Sequence, residues 1–299
     1  MNKVYVLPPK ENWIIDRFTK EWYEDNSDIS VFDCRQADVI WLFSDWCWRN
    51  LPIQFLKTKK VVTTIHHIVP EKFGIDQIND FKERDSITHI YHTPSIHTKK
   101  FIESYTNKPI KVIPYWANQK IWKKTGTKEE FRKKYNIPLD ATVIGSFQRD
   151  TEGSDLKSPK LEKGPDLLAE YLTKLKETSP SIHVVLSGWR RQYIISKLND
   201  LSIPFTYIEL PSQEIVNELY QTLDLYPVTS RYEGGPQSLI ECGLLDVSMI
   251  SRSMGMAEAV LPSSAIHDDV IKAIPAIPNV KEILLPFGYK AYRDLFNQL

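Results

Sequence analysis

The chain has 299 residues, enough for two domains of ordinary size or one large one, and for burying well over half of its unfolded surface without a disulfide or metal staple. Lysine plus arginine and aspartate plus glutamate each number 38, so the formal net charge is zero. That argues against a wholesale nucleic-acid binder, but a small anionic ligand needs only one or two local cations. Hydrophobic content of 42% and charged content of 25% exclude a disordered chain. Cys34, Cys47 and Cys242 are too few and too scattered for a disulfide framework or a zinc site, and read as free thiols in a reducing cytosol. The first residues lead straight into Val4-Tyr5-Val6-Leu7 with no longer apolar run, so no signal peptide is expected. No window approaches the roughly 18 apolar residues of a membrane span. The expectation is a cytoplasmic protein, with peripheral contact at the inner face of a membrane left open.

Short β-branched or aromatic runs bounded by polar residues or proline predict strands at Val4–Leu7, Val39–Phe43, Lys60–Ile65, His89–Thr93 and Ile110–Ile113. Helical patterns fall between them at Trp13–Glu24, Leu51–Leu56, Phe73–Arg84 and Ser95–Tyr105. The rhythm then repeats. Strands are expected at Thr142–Phe147, His183–Ser187, Phe205–Ile208, Leu223–Pro227 and Ser248–Ser251. Helices are expected near Lys128–Tyr135, Lys163–Glu177, Tyr193–Asn199, Glu214–Thr222 and Pro236–Leu245. Such alternation predicts an α/β chain with two Rossmann-like parallel-sheet domains facing across a cleft. Ligands of open α/β sheets bind beyond the carboxyl ends of the strands, so the residues after each strand carry the chemistry.

The most informative stretch is Ser230-Arg231-Tyr232-Glu233-Gly234-Gly235-Pro236-Gln237-Ser238-Leu239-Ile240-Glu241. It follows a strand; Gly234-Gly235 makes a permissive turn, and Pro236 suits a first helical position. The helix N-terminus favours an anionic or hydroxyl-rich ligand. Glu233 lies in the loop, and Glu241 lies in the helix one turn beyond Gln237 on the same face. Carboxylates placed this way accept hydrogen bonds from sugar or ribose hydroxyls.

This stretch resembles the E-x7-E signature of retaining GT-B-fold glycosyltransferases of family 4, through Ser230, Glu233, Gly234, Pro236 and Glu241. The resemblance implies that Glu233 holds hydroxyls of the transferred sugar and Glu241 the nucleotide ribose. It implies that Gly234 and Gly235 turn backbone N–H groups to the donor. A second match is Gln148-Arg149 after the strand at Thr142–Phe147, followed by Glu162-Lys163-Gly164-Pro165. By the resemblance Arg149 and Lys163 neutralise a departing diphosphate, a task for preorganised cations. The spacing departs from the family pattern, with eleven residues from Asp150 to Lys160 and then Leu161-Glu162 between the two cations, so Lys157 or Lys160 stand as alternatives to Arg149. A third match is Thr63-Thr64-Ile65-His66-His67. There the resemblance points His66 toward the reacting sugar, while His67 replaces the usual aspartate and is a candidate sugar contact. Ser187-Gly188-Trp189 stands where the family has a glycine turn lining the nucleotide, and Tyr207–Pro211 would flank the base.

The family's glycine-rich loop after the first strand is missing; Pro8-Pro9-Lys10-Glu11-Asn12-Trp13 stands there, with Lys10 or Asn12 as phosphate or acceptor contacts or simply a turn. Asp45-Trp46-Cys47-Trp48-Arg49 lines either an acceptor cleft or the core. The division expected is an N-terminal acceptor-side domain over residues 1–116, a nucleotide-sugar-binding domain over 117–285, and a C-terminal helix over 286–299 that crosses back to the first domain. No P-loop, dinucleotide fingerprint, Gly-x-Ser-x-Gly elbow or Asp-x-Asp metal clamp occurs.

The sequence therefore points to a hexosyltransferase-type enzyme moving a sugar from a nucleotide-diphosphate sugar, such as a UDP- or GDP-sugar, to a hydroxyl of a glycan, glycolipid or glycoside in polysaccharide biosynthesis. No metal and no cofactor are expected. The alternatives are a catalytically silent nucleotide-sugar-binding protein and a nucleotide-sugar epimerase on the same architecture.

Overall fold

The computed structural model describes residues 1–11, 14–179 and 181–299. Asn12, and Trp13 at the expected start of the first helix, lie outside the described residues. The chain divides into two units, Met1–Tyr115 together with Leu285–Leu299, and Trp116–Leu284.

The first unit contains β1 (Val4–Leu7), α1 (Ile14–Asp25), β2 (Val39–Leu42), α2 (Ile53–Leu56), β3 (Lys60–Thr64), α3 (Ile75–Asp85), β4 (Ile90–Thr93), α4 (Ile96–Ile102) and β5 (Ile110–Val112). Among the described residues its sheet runs β1-β2-β3-β4-β5, all parallel. On the other side of β1, Ser30 pairs in parallel with Val4. The chain thus pairs first on one flank of β1 and then crosses to the other, so the strand order reverses at β1.

The second unit contains α5 (Lys128–Lys134), β6 (Thr142–Ser146), β7 (Thr151–Glu152), β8 (Ser158–Pro159), α6 (Pro165–Thr178), β9 (Ile182–Ser187), α7 (Gln192–Asp200) and β10 (Phe205–Ile208). It continues with α8 (Gln213–Tyr220), β11 (Leu225–Val228), α9 (Gln237–Leu245), β12 (Ser248–Ser251) and α10 (Ala257–Val260). Its main sheet runs β10-β9-β6-β11-β12, again parallel. The chain builds outward from β6 through β9 to β10, then returns to β11 on the opposite flank, so the switch point lies between β6 and β11. Ile144, Val184, Leu186, Leu225 and Ile250 of the strands pack on Leu168 and Leu172 of α6 and on Ile194 and Leu198 of α7.

Local chemistry sets the element ends. Thr127 and Glu130 form a reciprocal capping box that starts α5, and Ser95 and Ser212 cap α4 and α8. The helix expected over Leu51–Leu56 shrinks to the single turn of α2, because Pro52 holds the cap position. β11 starts two residues later than the apolar run. Leu223 N–H closes a turn on Tyr220 O at 3.1 Å, and the Asp224 carboxylate accepts from Val143 N–H at 2.8 Å. The residues between Arg149 and Lys163, read as extra loop length, fold into the antiparallel hairpin β7–β8.

The last helix, α11 (Lys290–Asn297), belongs to the first unit. Its Tyr292, Leu295 and Phe296 are buried. The Trp41 ring lies 5.3 Å from Tyr292 and 5.1 Å from Phe296. Tyr292 Oη donates to Pro114 O at 3.1 Å, and Arg293 pairs with Asp28 at 2.6 Å.

Beneath this aromatic cluster His92 is fully buried. Its Nε2 faces the Ile113 carbonyl at 2.9 Å, which can only accept, so Nε2 carries the proton. Its Nδ1 must then accept from the Thr64 hydroxyl at 2.9 Å, while Thr64 Oγ1 accepts from Trp41 Nε1 at 2.8 Å. Burial pushes the His92 pKa down to about 4. A histidine charges at about 6.5 when unfolded, so below that pH the unfolded chain binds the proton that the folded chain refuses. The stability from neutral His92 is complete above pH about 6.5 and is lost as pH falls toward 4. Unfolding free energy measured by urea titration should therefore fall between pH 7 and pH 5, and His92→Gln should flatten that slope while lowering stability at pH 7.

Candidate functional site

The switch point of the second unit gathers the residues singled out by two separate motifs. Gln148 and Arg149 follow β6, Lys163 and Gly164 precede α6, and Ser230–Gly235 follow β11. Lys163 Nζ donates to Glu233 Oε1 at 2.5 Å, and Ser230 Oγ donates to the same carboxylate oxygen at 3.1 Å. Gln148 Nε2 donates to Lys163 O at 2.9 Å, and its Oε1 stands 3.2 Å from Ser230 Oγ, sharing with Glu233 the one proton of that hydroxyl. Lys163 and Glu233 are mostly buried, with side-chain exposures of 21% and 12%. A pair so shielded holds its geometry better than a surface ion pair does.

The loop after β11 is fastened to the start of α6 at several points. Thr229 Oγ1 donates to Gly164 O at 2.8 Å, and the N–H groups of Arg231 and Tyr232 both donate to Glu162 O, at 2.8 and 3.2 Å. Arg231 forms a two-pronged pair with Asp166 at 2.8 and 2.6 Å. The Arg231 guanidinium holds the Asp166 carboxyl below its ordinary pKa. Gly164 has φ +60, and a Cβ there would lie 2.0 Å from Thr229 O. No other residue type fits between α6 and that carbonyl.

Gly234 is buried and Gly235 half-buried in the turn before α9. Pro236 stands one position before the helix rather than at its first turn, with ψ 124. Glu241 is buried rather than solvated, and its Oε2 accepts from Tyr220 Oη at 2.6 Å. Burial first and the Glu241 carboxylate second keep the Tyr220 phenol far above its ordinary pKa, so it stays a donor.

At the end of β9, Ser187 is buried and its carbonyl accepts from Arg191 Nη1 at 2.6 Å, while the carbonyl of Gly188, the next residue, accepts from Tyr207 Oη at 3.0 Å. Arg149 lies beside this turn: its Nε donates to Thr151 O at 3.1 Å and its guanidinium stands 5.0 Å from the Trp189 ring. The structure thus brings Lys163 and Glu233 together and places Arg149 against Trp189. No hydrogen bond or ion pair joins Arg149 to Lys163 or Glu233 among the described residues.

In the first unit, His66 sits just past β3. Its Nε2 donates to Phe43 O at 2.8 Å, and its Nδ1 accepts from Tyr115 Oη. Burial of the ring pushes its pKa down. Both nitrogens are committed to the unit's own framework, which departs from the expectation of an imidazole ready to meet a sugar hydroxyl. His67 is half-buried in the same loop. Trp48 is core, as is Cys47, whereas Trp46 is 45% exposed; its Nε1 donates to Glu11 Oε1 at 3.0 Å. Lys10 is exposed, and its backbone N–H donates to Asp16 at 3.0 Å.

Sequence reasoning missed a buried ion pair that joins the ends of β6 and β9. Arg191 is fully buried and pairs with Asp150 at 2.5 Å; it also donates to the carbonyl and hydroxyl of Ser146. Its only signal was an Arg-Arg pair after the Ser-Gly-Trp turn, which reads as surface. Tyr220 was missed too, because it sits inside a helix with no motif around it.

The fastening at Gly164 yields a stability prediction. Gly164→Ala combines a left-handed backbone cost of about 1–2 kcal/mol with overpacking of about 1–3 kcal/mol, roughly 2–5 kcal/mol in denaturant unfolding. Gly153→Ala is the control, since Gly153 also has positive φ but its Cβ would meet side chains alone, the Asp155 carboxylate at 2.9 Å and Ser158 Cβ at 3.7 Å, and no backbone carbonyl. It should cost about 1–2 kcal/mol.

No protein-family model matches the chain, and no curated protein matches its sequence. The backbone is similar to that of Anabaena HepE, solved in complex with UDP and glucose, at 12% identity over 91% of this chain and 87% of that one, with a TM-score of 0.69. It is also similar to sucrose-phosphate synthase from Thermosynechococcus elongatus, at 14% identity over 94% and 77% of the two chains, with a TM-score of 0.61. The lipopolysaccharide outer core galactosyltransferase WaaB matches at 13% identity over 95% and 79%, with a TM-score of 0.62. The chain has the fold of these GT-B glycosyltransferases, with two Rossmann-like units built on parallel sheets.

Proposed function

We propose that the protein is a retaining glycosyltransferase of the family 4 type, moving a hexose from a nucleoside-diphosphate sugar such as a UDP- or GDP-sugar to a hydroxyl acceptor. The observation that carries this reading is the meeting of Lys163 and Glu233 at 2.5 Å on the switch point between β6 and β11. Two residues seventy positions apart in sequence, each assigned to the donor from its own motif, end on one hydrogen bond. The solved relatives in fold include HepE in complex with UDP-glucose.

In this reading Lys163 and Arg149 hold the diphosphate, Glu233 holds hydroxyls of the sugar, and Glu241 holds the ribose with Tyr220 fixing its carboxylate. The N–H groups around Gly234 and Gly235 add positive potential at the start of α9. Ser187 and Gly188 shape the nucleotide edge. Met1–Tyr115 selects the acceptor, a glycan, glycolipid or glycoside, and His66 and His67 shape its surface without a proton-transfer role for His66.

The chemical step is attack on the donor's own face. The bond from the anomeric carbon to the phosphate oxygen breaks with its electron pair leaving on the diphosphate. The acceptor oxygen bonds to the same face of that carbon, and its proton passes to the departing phosphate oxygen. Charge grows on the diphosphate as the bond breaks, so cations fixed beforehand lower the barrier. The Lys163–Glu233 pair keeps both groups oriented, so that phosphate and hydroxyls exchange one set of charge-assisted bonds for another.

Release of nucleoside diphosphate from a panel of nucleotide sugars tests this. Wild type should turn over one donor, and Lys163→Ala and Glu233→Ala should each lower the rate about 10²–10³-fold with far-UV circular dichroism unchanged. Proton NMR of the sugar product should show the donor's anomeric configuration. Full activity in both variants, or inversion, would overturn the reading.

A further inference from the structure

Arg149 and Arg190 differ from the rest of the chain's arginines. Every other arginine lies within 3.6 Å of a carboxylate. Arg149 and Arg190 meet none among the described residues. Their polar contacts are to backbone carbonyls, Arg149 Nε to Thr151 O and Arg190 Nη1 to Gly153 O at 3.3 Å. Arg190 Nε is buried with no partner.

Both guanidiniums stand on one indole. Arg149 lies 5.0 Å and Arg190 4.5 Å from the Trp189 ring. Trp189 is 47% exposed, unlike the buried Trp22, Trp41, Trp48, Trp116 and Trp122. Two cations placed on a common ring repel each other, and an anion lying between or before them offsets that repulsion. The protein nonetheless fixes the arrangement. Arg191 and Tyr207 hold the carbonyls of Ser187 and Gly188. The Arg190 carbonyl accepts from the N–H groups of Asp150 and Thr151 at 3.2 and 3.1 Å. Arg190 itself is held at φ +57, a conformation that costs a non-glycine residue energy and persists where the surroundings impose it. The start of α7 follows at once and adds a positive helix end.

We infer that Arg149, Trp189 and Arg190 form a two-guanidinium clamp for a diphosphate, with Arg190 as a further phosphate-binding residue beside Arg149 and Lys163 and the indole as the plate that sets the spacing of the two guanidiniums. The clamp lies beyond the ends of β6 and β9, beside the residues assigned above to the donor, and as a donor subsite it rests on that reading. Planar guanidiniums suit phosphate oxygens, which they can engage through paired N–H groups. The Asp150–Arg191 pair places this clamp, since Asp150 follows Arg149 and Arg191 follows Arg190, and Asp150 neutralises the one arginine that faces inward. The clamp's two charges are therefore left for a ligand.

Isothermal titration of the full chain with inorganic pyrophosphate, UDP and uridine tests the clamp. Pyrophosphate carries the chemistry shared by every nucleoside diphosphate and needs no knowledge of the base. Arg190→Gln should weaken pyrophosphate and UDP binding about 10- to 100-fold, the worth of a charge-assisted hydrogen bond, and leave uridine unchanged. Trp189→Leu should weaken both phosphates and Trp189→Phe should restore most of the loss. Unchanged pyrophosphate affinity in a folded Arg190→Gln variant would overturn the clamp, as would wild type that binds no pyrophosphate. If pyrophosphate binds through Arg190 but no nucleoside diphosphate binds, the clamp holds and the donor reading fails. The two failures are thereby distinguished.

Discussion

The approach of Gly164 to the Thr229 carbonyl is the constraint on which the site depends. A side chain of any size there would push the loop after β11 away from the start of α6, since a Cβ would come within 2.0 Å of the carbonyl oxygen. With hydrogen in that place, Thr229 reaches Gly164 O, Arg231 and Tyr232 reach Glu162 O, and Arg231 reaches Asp166. The ammonium of Lys163 and the carboxylate of Glu233 then have one place to be. Neither residue is positioned by its own conformational preference; each is positioned by backbone that is fastened on both sides.

Charge is distributed on two patterns. Some buried arginines are paired with carboxylates, as Arg191 is with the buried Asp150 and Arg132 with the half-buried Asp224. Burial opposes ionisation of Asp224, but hydrogen bonds from Lys128, the Val143 N–H and Arg132 outweigh it and hold the carboxyl below its ordinary pKa. Such pairs organise the strand ends and add little net stability over apolar packing. At the ends of β6 and β9, by contrast, Arg149 and Arg190 have carbonyls and an indole for company. In the first unit His66 and His92 spend both ring nitrogens on internal partners.

Much of the fold was legible from the sequence because parallel strands buried on both faces leave short apolar runs, and the helices between them keep a helical period. Phe205–Ile208 and Ser248–Ser251 were read to the residue. The hairpin at Thr151–Pro159 was not, because two-residue strands carry no periodicity and the segment reads as polar loop. The motif around Glu233 and Glu241 announced itself through glycine, proline and carboxylate spacing. What could not be read was the state of those groups: that Glu241 is buried against Tyr220, that Arg191 is internal, and that His66 is locked. Each depends on contacts between residues tens of positions apart, which one sequence does not display.

The central claim is that the switch point of the second unit takes a nucleotide-diphosphate sugar. The direct measurement is the melting temperature of the purified chain with UDP-, GDP-, ADP-, TDP- and CMP-linked sugars at millimolar concentration. A ligand at a hundred times its Kd adds about 2.7 kcal/mol to stability. The account predicts that one of the diphosphate-linked nucleotides raises the melting temperature by several degrees, that the monophosphate-linked CMP sugar does not, and that Glu241→Gln diminishes the rise. No rise with any of them, at concentrations well above millimolar, would contradict it.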